Sequence, residues 1–279
     1  MIAAPDLLVV GGLSIDRFPD GSTAPGGSVL HAARAVAATG GRVATIVGAG
    51  SEPLAQAALA ELAELGPCLV HRAIATTRFA IDERGARRSL RLEAAGGELK
   101  VAARDMDRWH AAAVLLAPIA GELDVATLRA ARGAAVRVAA LQGWLRSLHR
   151  GLQVSPLRLQ ALPEDLVAEL RQFDALVASV DDLIAEGVSP DEQLDALRDR
   201  VGVGPALIVT NGQNGARLDP GGGERLDVSA PHRVSDAPTV GAGDAFAALL
   251  AVQLGKGIDL SAAAGDAAAR VAELLNRVS

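Results

Sequence analysis

Apolar residues along this chain fall into short unbroken runs that alternate with longer stretches of helical spacing. Leu7-Leu-Val-Val10 is one such run; it ends at Gly11-Gly12 and reads as a strand buried on both faces. A polar loop carrying Asp16, Asp20 and Pro25 follows. Gly26-Gly27-Ser28 then opens a helix over 29–39, which Gly40-Gly41 stops. A strand over 42–47 and a helix over 52–65, closed by Gly66-Pro67, complete a β-α-β-α order. That order predicts an α/β fold with a parallel sheet covered by helices on both faces.

Residues 69–93 break the order. Two β-prone arms, 75–81 and 87–92, flank Asp82-Glu-Arg-Gly85, and the second alternates charged with apolar positions. This predicts a β-hairpin with one wet face that projects from the main sheet. Strands are then expected at 113–117, 135–141, 175–179 and 205–210, and short β segments at 216–218 and 225–228. Helices are expected at 125–132, after Pro163, at Asp181-Asp182, and over 190–200, 244–255 and 260–278. With no linker, repeat or low-complexity tract, the chain reads as a single domain over 1–279 with a small hairpin near 72–93.

Composition narrows the function classes. The chain has 279 residues, 33 acidic and 27 basic, for a formal charge of −6. That balance argues against nucleic acid as the main partner, because a phosphate backbone demands clustered Lys and Arg. Arg84, Arg87, Arg88 and Arg91 do cluster, but a solvated hairpin is the simpler reading than a wall over an anionic ligand. The N-terminus lacks a basic region followed by a long apolar run, and no uncharged stretch spans a bilayer. A soluble cytoplasmic protein without a membrane partner is expected. Cys68 is the only cysteine, and the five histidines show no paired helical spacing, so neither a disulfide framework nor a zinc site is indicated.

Candidate chemistry concentrates in Pro238-Thr-Val-Gly-Ala-Gly-Asp-Ala-Phe246. Gly241, Ala242 and Gly243 form a small-residue turn at the start of an apolar helix, where free backbone N–H groups and the helix dipole favour an anion. Asp244 would repel a phosphate if it merely decorated that turn. It fits better as a base meeting a substrate hydroxyl while the N–H groups hold the transferring phosphoryl group. Competing glycine motifs are weaker. Gly48-Ala-Gly50-Ser-Glu-Pro53 puts a proline where a dinucleotide fingerprint needs its third glycine, and no P-loop or G-x-S-x-G elbow occurs. Gln142-Gly-Trp-Leu-Arg146 follows a strand at the edge where open α/β sheets bind ligands; Trp144 as a core cap and Trp144 as a ligand contact stand equal. Asp181-Asp182 suits Mg²⁺ held through water, or plain dipole complementation.

Together these pieces resemble the ribokinase-like (PfkB) family of carbohydrate and nucleoside kinases. The match rests on Thr239-Val-Gly-Ala-Gly-Asp-Ala-Phe246, on Gly26-Gly27 before an Ala-rich helix, on Gly11 with Asp16, and on Val209-Thr-Asn-Gly-Gln-Asn-Gly-Ala216. The resemblance implies a three-layer α/β/α sandwich with a β lid and ATP-dependent phosphorylation of a sugar or polyol hydroxyl. It implies Asp244 as base and the N–H groups of Gly241, Ala242 and Gly243 as anion hole. Asp16, Gly26 and Gly27 would meet the acceptor, and for His31 an acceptor contact and a polar helix residue with no ligand stand equal. Thr210, Gly212, Gly215, Ser179 and Asp182 would shape the ATP site, with Asp182 as the candidate Mg²⁺ ligand. The chain also departs from the pattern: His31 stands where the family has Asn, Ser179-Val-Asp-Asp182 replaces Asn-x-x-Glu, and Pro238 counts against a monovalent-cation site. Only ten positions separate Asp16 from Gly26, so a lid reduced to the 75–92 hairpin is expected. A catalytically weak ligand-binding relative and a nucleoside kinase are the alternative readings, and a homodimer paired through the lid stands beside a monomer.

Overall fold

The structure is a computed structural model that describes residues 3–82, 89–183, 189–230 and 240–277. The chain opens with β1 (Leu7–Gly12), β2 (Ser14–Arg17) and β3 (Thr23–Gly26), then α1 (Ser28–Ala38), β4 (Val43–Ala49), α2 (Pro53–Leu65) and β5 (Cys68–Arg72). Next come β6 (Thr77–Asp82), β7 (Ser89–Ala94), α3 (Ala103–Met106), β8 (Ala113–Ala117), α4 (Val125–Ala130) and β9 (Arg137–Ala140). Two short strands, β10 (Arg146–Ser147) and β11 (Ser155–Pro156), precede α5 (Glu164–Leu170), β12 (Ala175–Ser179), α6 (Pro190–Val201) and β13 (Ala206–Thr210). The chain closes with β14 (Ala216–Asp219), β15 (Leu226–Val228), α7 (Ala242–Gly255) and α8 (Leu260–Asn276).

The main sheet runs β15-β14-β13-β12-β9-β8-β1-β4-β5. It is parallel from β13 to β5, and β14 and β15 run antiparallel at one edge. Buried on both faces, β1 and β8 show no polar alternation, as a covered parallel sheet requires. Leu7 and Val9 face a core shared with α1, α2, α7 and α8. Leu8 and Val10 face the opposite core, built from α4, α5 and α6. The result is the expected three-layer sandwich. In α7 every residue from Ala245 to Val252 is buried, so that helix is apolar all round.

The lid is larger than the expected hairpin. Its order is β3-β2-β6-β7, with β2 parallel to β6 and the other pairs antiparallel. Residues 14–26, read from sequence as a polar loop, supply two of these strands. Ser14 and Asp16 look polar because their side of β2 lines a polar pocket, whereas a sequence pattern expects the covered side to be apolar. In β6, Thr77, Phe79 and Ile81 are buried and the intervening residues half-buried. Phe79 and Ile81 form a small core with Leu92 and Ile119. Arg91 lies on the wet side, while Arg84, Arg87 and Arg88 lie outside the described residues. The segment after β10 returns to the lid: Gly151 N–H donates to Leu92 O at 2.7 Å and Val154 N–H to Leu90 O at 2.7 Å. Among the described residues no helix is long and apolar enough to cross a membrane.

Candidate active site

The strand order reverses between β1 and β8, which places a crevice at the carboxyl ends of the central strands. Four chain segments converge there. The first is β2 with the Gly26-Gly27 turn. Asp16 is 6% exposed, and a Cβ at Gly26 would collide with its carboxylate. Glycine at 26 therefore makes room for the Asp16 side chain. Gly27 then turns the chain into α1 at a φ of 100°, presenting Ser28 and His31 to the same space. The Nε2 of His31 is buried and has no hydrogen-bond partner among the described residues.

The second segment follows β8. Glu122 is buried and accepts hydrogen bonds from Ile119 N at 3.0 Å and Ala120 N at 2.8 Å, fixing the turn that carries Ile119 into the crevice. Burial pushes the Glu122 carboxyl above its ordinary range, against these backbone hydrogen bonds.

The third segment follows β9. Trp144 is 7% exposed and donates Nε1–H to Leu123 O at 2.9 Å, so it caps the core. Arg146 instead lines the crevice, donating to Ile119 O at 3.2 Å and to Gln142 Oε1 at 2.9 Å. Gln142 in turn donates Nε2–H to Ser28 Oγ at 2.6 Å and to Asp244 Oδ1 at 2.9 Å. Sequence reasoning missed Gln142. It is uncharged and belongs to no motif, and only its place just after a strand pointed toward it.

The fourth segment is the start of α7. Gly241 caps the helix at a φ of 84°, a left-handed conformation that favours glycine, and a Cβ there would run into the His31 ring. Glycine at 241 answers both demands. Ala242 and Gly243 are the first two helical residues, with Asp244 next. A Cβ at Gly243 would meet no atom of the described residues within 4 Å, so packing among them does not explain that glycine.

Asp16, Gly27, His31, Gly241 and Asp244 thus line one pocket together with Gln142, Arg146 and Phe79. The residues predicted for the nucleotide side lie one and two strands further along. Ser179 and Thr210 stand side by side at the ends of β12 and β13. Asp182 Oδ2 accepts from Ser179 N at 3.1 Å, while Oδ1 lies 3.7 Å from Arg146 Nη2. Gly212 and Gly215 shape the turn after β13, closed by Asn211 N–H donating to Gly215 O at 2.7 Å. A Cβ at Gly215 would collide with Val228 O, so packing against β15 accounts for that glycine. Asp181 and Asp182 sit in a turn; the helix expected to follow, like Pro238 and its bearing on a monovalent cation, reaches beyond the described residues.

No protein-family model and no curated protein matches this chain. Solved structures match over nearly its whole length. It superposes with a TM-score of 0.78 on a pyrophosphate-dependent kinase in the ribokinase family complexed with a pyrophosphate analogue and myo-inositol, at 18% identity, covering 97% of this chain and 95% of that one. The chain has the ribokinase fold. Arabidopsis thaliana ribokinase complexed with ribose and ATP matches with a TM-score of 0.74 at 17% identity, covering 99% and 93%. A microbiome-derived acarbose kinase matches at 0.69 and 20% identity, covering 99% of each chain. A shared fold does not say what the crevice does; that depends on the crevice's own residues.

Proposed function

We propose that this protein transfers a phosphoryl group from ATP to a hydroxyl of a sugar or polyol. The observation that carries this reading is the meeting of Asp244 with the Gly241 turn and with Asp16 and His31 in one pocket. Asp16 and the buried Nε2 of His31 offer hydrogen bonds to acceptor hydroxyls. The carboxylate of Asp244 orients the attacking hydroxyl and takes its proton late. The N–H groups of Gly241, Ala242 and Gly243, at the positive end of a 14-residue helix, stabilise the transferring group. A loose transition state asks for this positioning more than for a strong base. Among the described residues Phe79 is the one Phe, Tyr or Trp lining the pocket, which suits a small polar acceptor better than a stacked nucleobase.

On the donor side, Ser179, Asp182, Thr210, Gly212 and Gly215 are the proposed nucleotide contacts. No cluster of three His, Cys, Asp or Glu side chains able to hold a metal occurs among the described residues. Mg²⁺ would fit here as the companion of a phosphate donor, with Asp182 as its proposed carboxylate contact. When bound, it would neutralise charge on the donor phosphates.

Asp182 lies against Arg146 and the Ser179 backbone, and this favours a second reading: a ligand-binding relative with weak transfer. The deciding experiment incubates the protein with ATP, or with pyrophosphate, and a panel of sugars, polyols and nucleosides, and detects phosphorylated product by mass. Product from a sugar or polyol supports the kinase. Ligand-induced thermal stabilisation without product from any donor rejects it.

A further inference from the structure

Gln142 is held in one orientation by chemistry alone. The Asp244 carboxylate can only accept hydrogen bonds and the Arg146 guanidinium can only donate them. The Gln142 amide must therefore turn its NH₂ to Asp244 and its oxygen to Arg146, as observed at 2.9 Å on each side. The second amide hydrogen goes to Ser28 Oγ at 2.6 Å. Arg146 is itself fixed by Ile119 O and by Asp182, and its side chain is only 10% exposed. Among the described residues Gln142 is the only hydrogen-bond partner of the Asp244 side chain, and Oδ2 accepts from none.

From this arrangement we infer that Gln142 and Arg146 act as one positioning unit for the base. Gln142 pins Oδ1 of Asp244 and leaves Oδ2 to face the acceptor hydroxyl; Arg146 keeps Gln142 from rotating its oxygen toward the carboxylate. Gln142 takes no proton and makes no bond in the reaction. Its effect is on the fraction of complexes in which the carboxylate is aimed correctly, so its loss falls on kcat. The inference rests on the proposed kinase reading.

The test compares steady-state kinetics of wild type, Gln142→Leu, Arg146→Met, Arg146→Lys and the Gln142→Leu/Arg146→Met double variant. Gln142→Leu should lower kcat about 30-fold and leave the acceptor KM within about threefold. Arg146→Met should fall to a similar level, and Arg146→Lys, which still donates to the amide oxygen, should recover most of the loss. The double variant should be no worse than either single variant, because the two residues act as a unit. A large rise in acceptor KM with kcat retained would mean that Gln142 contacts the acceptor directly, and would overturn the inference; so would losses that multiply in the double variant. A second readout does not depend on turnover. In the ¹⁵N spectrum of the folded protein, one Gln142 amide proton should shift and lose exchange protection in Asp244→Ala, while the other, facing Ser28, keeps both. Two unperturbed protons would also overturn it. A wild type that phosphorylates nothing rejects the kinase reading and takes the inference with it, whereas an active wild type with an unimpaired Gln142→Leu rejects the inference alone.

Discussion

The crevice around Asp244 and the cluster around Asp219, at the far edge of the sheet, are both built from arginine and aspartate, and they are finished differently. Around Asp219 the strong groups are saturated. Arg198 reaches its carboxylate at 2.8 Å and also donates to Gly202 O and Pro205 O. Arg225 bridges Asp219, Asp191 and Asp195. In the crevice, neither the buried Nε2 of His31 nor one oxygen of Asp244 has a hydrogen-bond partner among the described residues. A buried polar group left unpaired costs about 1–3 kcal/mol, a cost that native folds mostly avoid, and here two unpaired polar atoms meet in one crevice. The saturated cluster ties α6 to the antiparallel edge, and the incomplete one is where chemistry is expected.

Substitutions that strike one region and spare the other test this contrast. The largest effect belongs to Asp244→Asn, which should lower phosphoryl transfer about 10³-fold while the thermal transition stays in place. A variant retaining a tenth of wild-type product formation would remove Asp244 from its role. Gly241→Ala comes next. It forces a left-handed residue to carry a Cβ into the His31 ring, and should cost both turnover and about 1–2 kcal/mol of stability, read by kinetics and by urea melts.

Asp219→Asn should do the opposite of Asp244→Asn. It should lower stability by about 2 kcal/mol, seen as a drop in Tm of about 5 °C, with turnover per folded molecule unchanged. Lost turnover in a folded Asp219→Asn would erase the distinction between the two regions. The same variant has a pH signature. Burial pushes the Asp219 carboxyl up, but the hydrogen bonds from Arg198 and Gly221 and the nearby arginine charges outweigh it and hold it below the usual range. Its contribution is then present above the ordinary aspartate range and lost as pH falls through the depressed value. The Tm gap between wild type and Asp219→Asn should persist at neutral pH and close on acidification below about pH 4. The smallest effect belongs to Lys100→Ala, which breaks an exposed pair with Glu98 and should leave Tm unmoved by calorimetry.

Much of the sandwich was legible because buried parallel strands and amphipathic helices write their environment directly into hydrophobic spacing. Gly26, Gly27 and Gly241 were legible because close approach and positive φ leave few other residue types. The lid strands β2 and β3 were not, since a strand lining a polar pocket reverses the expected alternation. Trp144 and Arg146 looked equivalent as neighbours of a strand end, and only packing separates a core cap from a pocket wall. Gln142 was hidden for a different reason. Its role depends on partners 114 and 102 positions away, Ser28 and Asp244, and no local pattern encodes that distance.

The return of residues 151–154 to β7 bears on how copies of this chain can meet. A bare lid edge would present a ladder of N–H and C=O groups open to strand addition by a second molecule. Here the β7 edge is already occupied by the same chain. The opposite edge, β3, is four residues long and contains Pro25, which has no N–H to offer. Among the described residues neither margin supplies a long template, which guards the lid against edge-to-edge aggregation.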